Sequence, residues 1–267
     1  MNIISDIIER RELLQNLVSR NLKSRYKNSA LGFLWSIITP LFMAIIYVIF
    51  LRILARSVSM EEILIGVFAW QFTAQCVANG MTCITDNSNL VKKVYFPRII
   101  LPLSSTLSNL VTFVLTLVVE FILVGILLAV HGQHMNIYAL FIPLLVVYHA
   151  IFCLAIALFL SCVNVYFRDI QHLVNVLLLA WFFLSPAMYS LTLVNTMAER
   201  YGMPALASLY MLNPMAVIIT GYRALILSGA SFPFSLCSIV SILLPFLILL
   251  GSYALFQKLQ KDFSDML

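Results

Sequence analysis

Charge is what this chain has little of. Asp, Glu, Lys and Arg make up 10% of its 267 residues, while 62% are hydrophobic. Soluble domains carry roughly 25% charged residues. The deficit excludes an ordinary water-soluble fold and points to a polytopic membrane protein. Motifs of chemistry are missing too. There is no GxxxxGK[ST] loop, which removes that route to ATP. There is no Ser/His/Asp order and no paired carboxylates of the kind hydrolysis uses. The four histidines, His131, His134, His149 and His172, lack metal-ligand spacing on one helix, so no metal is expected. Cysteine is sparse: Cys76, Cys83, Cys153, Cys162 and Cys237 sit in or beside apolar runs without a CxxC pair. They read as small reduced core residues. The net charge is +5, but the basic residues gather at the ends of apolar runs. That placement suits topology and anionic lipid, and no nucleic-acid motif accompanies it.

What the chain has is long apolar runs. A spanning helix needs about 20 mostly apolar residues. Six runs qualify: Gly32 to about Leu51, Ile63–Thr85, Leu101–Val130, Ile137–Val165, His172 to about Leu193, and Phe234–Phe256. The expected fold is therefore all-α, a single transmembrane domain over 1–267 with a bundle at 32–256 and a tail at 257–267. Lys and Arg set the orientation. With the N-terminus inside, the inner segments hold Arg10, Arg11, Arg20, Lys23, Arg25, Lys27, Lys92, Lys93, Arg98, Arg168, Lys258 and Lys261. The outer ones hold only Arg52, Arg56, Arg200 and Arg223. Both termini are expected in the cytoplasm. The charged stretch before the first run is in the wrong order for a cleavable leader.

Two regions depart from the spanning pattern. In residues 3–25, Ile3, Ile4, Ile7, Ile8, Leu14, Leu17, Val18 and Leu22 recur at three- and four-residue spacing. That predicts an amphipathic helix within 1–31, lying in the inner interface or against a soluble partner. The segment from Asn195 to Pro233 is too weakly polar for a free loop. It predicts two short re-entrant helices in the outer leaflet, broken at Asn213-Pro214.

Glu120 is the only carboxylate deep in a run, and an intramembrane ionisable group is a functional hypothesis by default. His149 lies at similar depth in the next run, so the two can pair. A structural clasp between helices is favoured over a proton relay, because one acid and one histidine make a thin chain. Aromatic faces stack on pyranose rings, so some aromatics can line a sugar path. Candidates are Trp35, Phe42, Tyr47, Trp70, Phe72, Trp181, Phe182, Phe183 and Tyr189. Pro186 frees the Phe182 carbonyl and can bend its helix. Between the second and third runs, Asn89-Leu90-Val91-Lys92-Lys93-Val94-Tyr95-Phe96-Pro97-Arg98 is a basic, aromatic patch suited to a protein partner.

Four stretches resemble the permease subunits of type-2 ABC exporters of O-antigen and capsular polysaccharides. They are Arg25-Tyr26-Lys27-Asn28-Ser29-Ala30-Leu31-Gly32-Phe33-Leu34-Trp35 with Pro40, then Asn89 to Arg98 with Pro102. Phe167-Arg168-Asp169-Ile170 leading to Ser185-Pro186 and Tyr189 is the third, and Asn213-Pro214 with Tyr222-Arg223 the fourth. The resemblance implies a homodimer in the bacterial inner membrane, among membrane lipids, with two copies of a cytoplasmic ATPase. ATP and Mg would be bound by that partner and no cofactor by this chain. It makes about Asp86–Tyr95 a coupling helix, through Asn89, Leu90, Val91, Lys92, Lys93 and Tyr95, with Arg168 and Asp169 nearby. It links the Leu31-Gly32 turn to access of a polyprenyl-pyrophosphate-linked polysaccharide. Arg25 and Lys27 then suit the pyrophosphate, which prefers Arg or Lys; plain positive-inside anchoring is the alternative.

Teichoic-acid exporters are the nearest rival, though a phosphate-rich polymer favours a more basic pathway than these runs offer. Drug and haem exporters often carry an outer domain or a fused ATPase. A membrane-embedded transferase acting on lipid-linked sugars would need clustered acids or histidines, and Asp169, Glu120 and His149 are dispersed.

Overall fold

The apolar runs form helices because a membrane offers the backbone no other partner for its N–H and C=O groups. The computed structural model describes residues 10–27, 29–53, 59–94, 96–203 and 205–267. Ile3, Ile4, Ile7, Ile8, Asn28, Arg56, Tyr95 and Pro204 lie outside them. Among the described residues there is no strand, only an isolated antiparallel bridge between Met135 and Leu227. The helices are α1 (Arg11–Tyr26), α2 (Trp35–Ile53), α3 (Met60–Thr82), α4 (Ser88–Lys93), α5 (Ile100–Val130) and α6 (Ile142–Tyr166). They continue with α7 (Ile170–Phe183), α8 (Leu191–Arg200), α9 (Ala205–Tyr210), α10 (Pro214–Ile226), α11 (Leu236–Leu259) and α12 (Phe263–Met266).

Five elements are long and apolar enough to cross a membrane: Gly32–Leu51, Met60–Thr82, Ile100–Val130, Ile137–Tyr166 and Leu236–Met266. They match five of the six predicted runs. The second, Met60–Thr82, is the axis of the bundle, since 72% of its apolar window is buried inside the protein. It packs against α2, α5, α6 and α10. The last run extends past its predicted end and takes in α12.

The run expected at His172–Leu193 is not one helix. The α7 helix stops at Phe183 after 14 residues, roughly 21 Å at 1.5 Å per residue and short of a hydrocarbon core of about 30 Å. Pro186 has no N–H to give, and the residue before a proline is disfavoured in the α region. The chain turns there, with Ser185 N donating to Phe182 O at 3.2 Å. From α7 onward it still climbs beside α3. Val174 clusters with Val77 and Met81, Trp181 meets Trp70 at 5.7 Å, and Ala187 lies against Gly66. A Cβ on Gly66 would fall 2.2 Å from Ala187 O, so this close approach needs glycine.

The segment after Asn195 also differs from expectation. Three short helices stand where two were predicted: α8, already under way at Leu191, then α9 and α10. The break at Asn213-Pro214 is where the sequence puts it: Asn213 caps α10 through Met215 N (3.0 Å), and Pro214 opens the helix.

Candidate functional site

The α4 end of the bundle holds the described residues predicted for partner contact. A turn at Thr85–Asn87 leads into α4, whose single helical turn-and-a-half has one anchor. Val91 is buried, and Leu90 packs beside it into a cluster with Leu17, Ile84, Phe96, Ile100, Phe256 and Phe263. Asn89, Lys92 and Lys93 face outward and are exposed. The Phe167–Asp169 turn presents Arg168 and Asp169, both exposed. Asn164 ties the two turns together. Its Nδ2 donates to Thr85 Oγ1 at 3.3 Å, and its Oδ1 accepts from Gln171 Nε2 at 3.0 Å.

Both ends of the chain brace this element, which the sequence reading did not foresee. Arg20 on α1 bonds Asn87 Oδ1 just before α4. Arg98, just after it, bonds Gln260 O and Ser264 Oγ and lies over the Phe263 ring at 5.9 Å. Phe263 is fully buried. The tail expected at 257–267 is therefore part of the packed structure.

The residues predicted for headgroup contact separate. Arg25 turns inward, bonding Asn109, Gln75 (3.3 Å) and Thr112 (3.4 Å) on α5 and α3. Lys27 and Leu31 are exposed. Gly32 has φ +49°, a left-handed conformation open to glycine at little cost, and its N–H donates to Ser29 Oγ at 3.1 Å. Arg25 faces a row the sequence reading passed over: Ser104, Ser108, Thr112, Thr116 and Glu120, all buried on α5. Their four-residue spacing puts them on one helix face, over roughly 24 Å at 1.5 Å per residue. That spacing was legible.

Glu120 and His149 are both buried, at 4% and 0% exposure, but no hydrogen bond joins them among the described residues. His149 Nε2 pairs instead with Thr73 Oγ1 at 2.6 Å, and Nδ1 faces Tyr222 Oη at 3.5 Å. A threonine hydroxyl can both give and accept, so it meets either imidazole tautomer.

The aromatic candidates also divide. Trp70, Phe72 and Phe182 are core residues at 7%, 3% and 7% exposure. Phe72 stacks on Phe113 at 4.4 Å; Phe182 packs with Trp70 and Tyr47, both at 5.5 Å. All three belong to the packed interior in this conformation. Trp35, Phe42 and Phe183 are exposed. Trp181 is tied down, its Nε1 donating to Asn213 Oδ1 at 2.9 Å. Tyr189 Oη lies 2.8 Å from Tyr210 Oη and 2.9 Å from Phe183 O.

At the far end, Arg223 closes a knot around the break in the fifth run. The buried guanidinium donates to Glu62 O (2.7 and 3.0 Å), Tyr189 O (2.9 Å) and Ala187 O (3.4 Å). Asn213 Nδ2 adds bonds to Leu184 O (3.1 Å) and Ser185 Oγ (3.0 Å). Leu184, Ala187 and Tyr189 lie outside the helices, so their carbonyls lack helical partners, and the arginine and Asn213 supply donors in their place.

Comparison with known proteins agrees with this architecture. Residues 12–227 match the model of the family described as ABC-2 type transporter. The chain is 33% identical over 228 residues to an O-antigen export system permease protein RfbA of Myxococcus xanthus, covering 84% of each chain. It is 28% identical over 260 residues to a Klebsiella pneumoniae protein of the same name, covering 96% of this chain and 95% of that one. With multiple apolar spans and a family match over most of its length, this chain belongs to the membrane component of the ABC-2 type transporters.

Proposed function

We propose that the chain is the permease half of an ATP-driven exporter that moves a polyprenyl-pyrophosphate-linked polysaccharide of the O-antigen kind across the bacterial inner membrane. It works as a homodimer with two cytoplasmic ATPase subunits, which bind ATP and Mg. The observation that carries this reading is α4. One buried valine fixes a short helix whose two lysines project from the surface, beside Arg168 and Asp169. An exposed basic helix on a rigid seat suits transmission of a partner's motion. The basic bias at this end favours a cytoplasmic position for it and for both termini.

The broken fifth run then makes the sixth crossing, helical from Ile170 to Phe183 and irregular beyond. Irregular backbone is tolerated at membrane depth where protein buries it, and here Arg223 and Asn213 supply its partners. The α10 helix is read as re-entrant: Met215 at its start meets Thr73, in the middle of α3 (3.2 Å), while Arg223 near its end meets Glu62. Opening of this knot would form the outer gate. Trp35, Phe42 and Phe183, exposed on the bundle surface, are the aromatics best placed for a glycan path between two copies.

The test is genetic and biochemical together. In cells lacking this chain, surface polysaccharide should be lost and lipid-linked polymer should accumulate inside. The tagged chain, extracted gently, should bring down an ATPase. Normal surface polysaccharide in the deletion strain, or purification without any ATPase, would sink the reading.

A further inference from the structure

The last apolar run is longer than a membrane needs. Leu236–Met266 is a helical rod of 31 residues, roughly 46 Å at 1.5 Å per residue, against a hydrocarbon core of about 30 Å. Its charges fall in the excess. After Leu236 the first is Lys258, followed by Lys261, Asp262 and Asp265. The rod therefore leaves the apolar layer at its C-terminal end, and α12 stands there beside α4.

The two sides of α12 differ. Phe263 is buried against Phe256 (5.6 Å) and Tyr166 (6.4 Å). Ser264 Oγ accepts from Arg98, which follows α4 directly. Asp265 and Met266 are on the open side, and Met266 is 53% exposed. Across the contact, α4 keeps Lys92 and Lys93 exposed as well. None of these charges enters an ion pair: among the described residues the one pair is Glu61 with His131, at the other end of the bundle. An acid at the inner surface of a bilayer is badly placed for lipid, because anionic headgroups attract Lys and Arg and repel carboxylates. An exposed methionine beside an unpaired acid, both on a fixed seat, suits contact with protein.

We propose that α12 is a second docking element for the ATPase subunit, and that Asp265 and Met266 help to select which ATPase this chain accepts. The surface is continuous: α4 supplies a basic half, and α12 an acidic and apolar half. The partner that fits it carries an acid opposite Lys92 and Lys93, and a base with an apolar patch opposite Asp265 and Met266. Such a mixed pattern rejects a partner surface of one sign, because like charges brought together cost affinity. The α12 helix also lies outside residues 12–227, which carry the family match. A contact made there is free to differ from one transporter to the next, as selection of a cognate ATPase requires. The identity of the partner rests on the export reading.

The test uses the whole permease–ATPase complex in lipid nanodiscs. The photo-crosslinking residue p-benzoylphenylalanine replaces Met266, and mass spectrometry identifies the peptide it joins on irradiation. The expected product is permease joined to ATPase. In parallel, the affinity of the ATPase for Asp265→Lys permease should fall about 3- to 30-fold at low salt, one attraction being lost and one repulsion gained. Asp265→Asn should fall between, and the differences should shrink as salt is raised. Thermal unfolding of both variants should match the wild type, since the side chain is exposed. A crosslink only to lipid or to a second copy of this chain would overturn the proposal. So would Asp265→Lys binding the ATPase as tightly as the wild type at low salt. In either case an ATPase held by the wild type, with export, leaves the transport reading standing. A wild-type chain that brings down no ATPase sinks the transport reading, and this docking element with it.

Discussion

Arg223 is the residue whose loss should cost most. It sits 5% exposed and serves three carbonyls, two of which, those of Tyr189 and Ala187, lie outside any helix. Replacing it with Ala or Gln leaves those groups unmet, at about 2–3 kcal/mol for a charged hydrogen-bonding group. A clear drop in the thermal unfolding temperature of the purified chain is expected, and Lys, a point charge without the fork, should not restore it. Gly66→Ala should act on the same knot, because the added carbon meets backbone that has nowhere to go. Overpacking of this kind costs about 1–3 kcal/mol. Glu120 tests a different idea. Since His149 is held by Thr73, an acid–imidazole relay has no first step in this conformation. Glu120→Gln should export glycan at the wild-type rate across pH, and a pH-dependent loss would restore the relay.

Among the elements, five runs were legible because uninterrupted apolar sequence of sufficient length has one stable outcome in lipid. The fifth run departs from a single helix: its hydropathy is continuous from His172 to Leu193, and Pro186, legible as a bend, sits just past the point where the helix stops. The signal was in the sequence, and its consequence needed the partners Arg223 and Asn213, distant along the chain. The coupling segment was legible as a basic patch, but its seat was not. Arg98 and Ser264 are separated by 166 positions, and nothing in either neighbourhood names the other. Because Phe263 is fully buried against Phe256 at 5.6 Å, Phe263→Ala should cost about 3 kcal/mol or more. It should also loosen α4, seen as faster hydrogen exchange at Val91 and Leu90.

For the whole molecule, rigid and exposed parts are sorted by end. The α4 end is braced by α1 and the C-terminal helix and still presents Lys92, Lys93, Arg168 and Asp169 to an outside partner. The far end is a knot of unwound backbone that a few polar residues hold shut. That division suits the proposed exporter, driven from one side and gated on the other, with α4 as the proposed point of entry of its drive. The decisive measurement is charge reversal at Lys92 and Lys93, both to Glu, in the complex reconstituted with its ATPase. Neither lysine is buried, so the variant should fold as the wild type does. The account predicts that ATP hydrolysis continues while glycan export falls to background. Full export, coupled to hydrolysis as in the wild type, would contradict it.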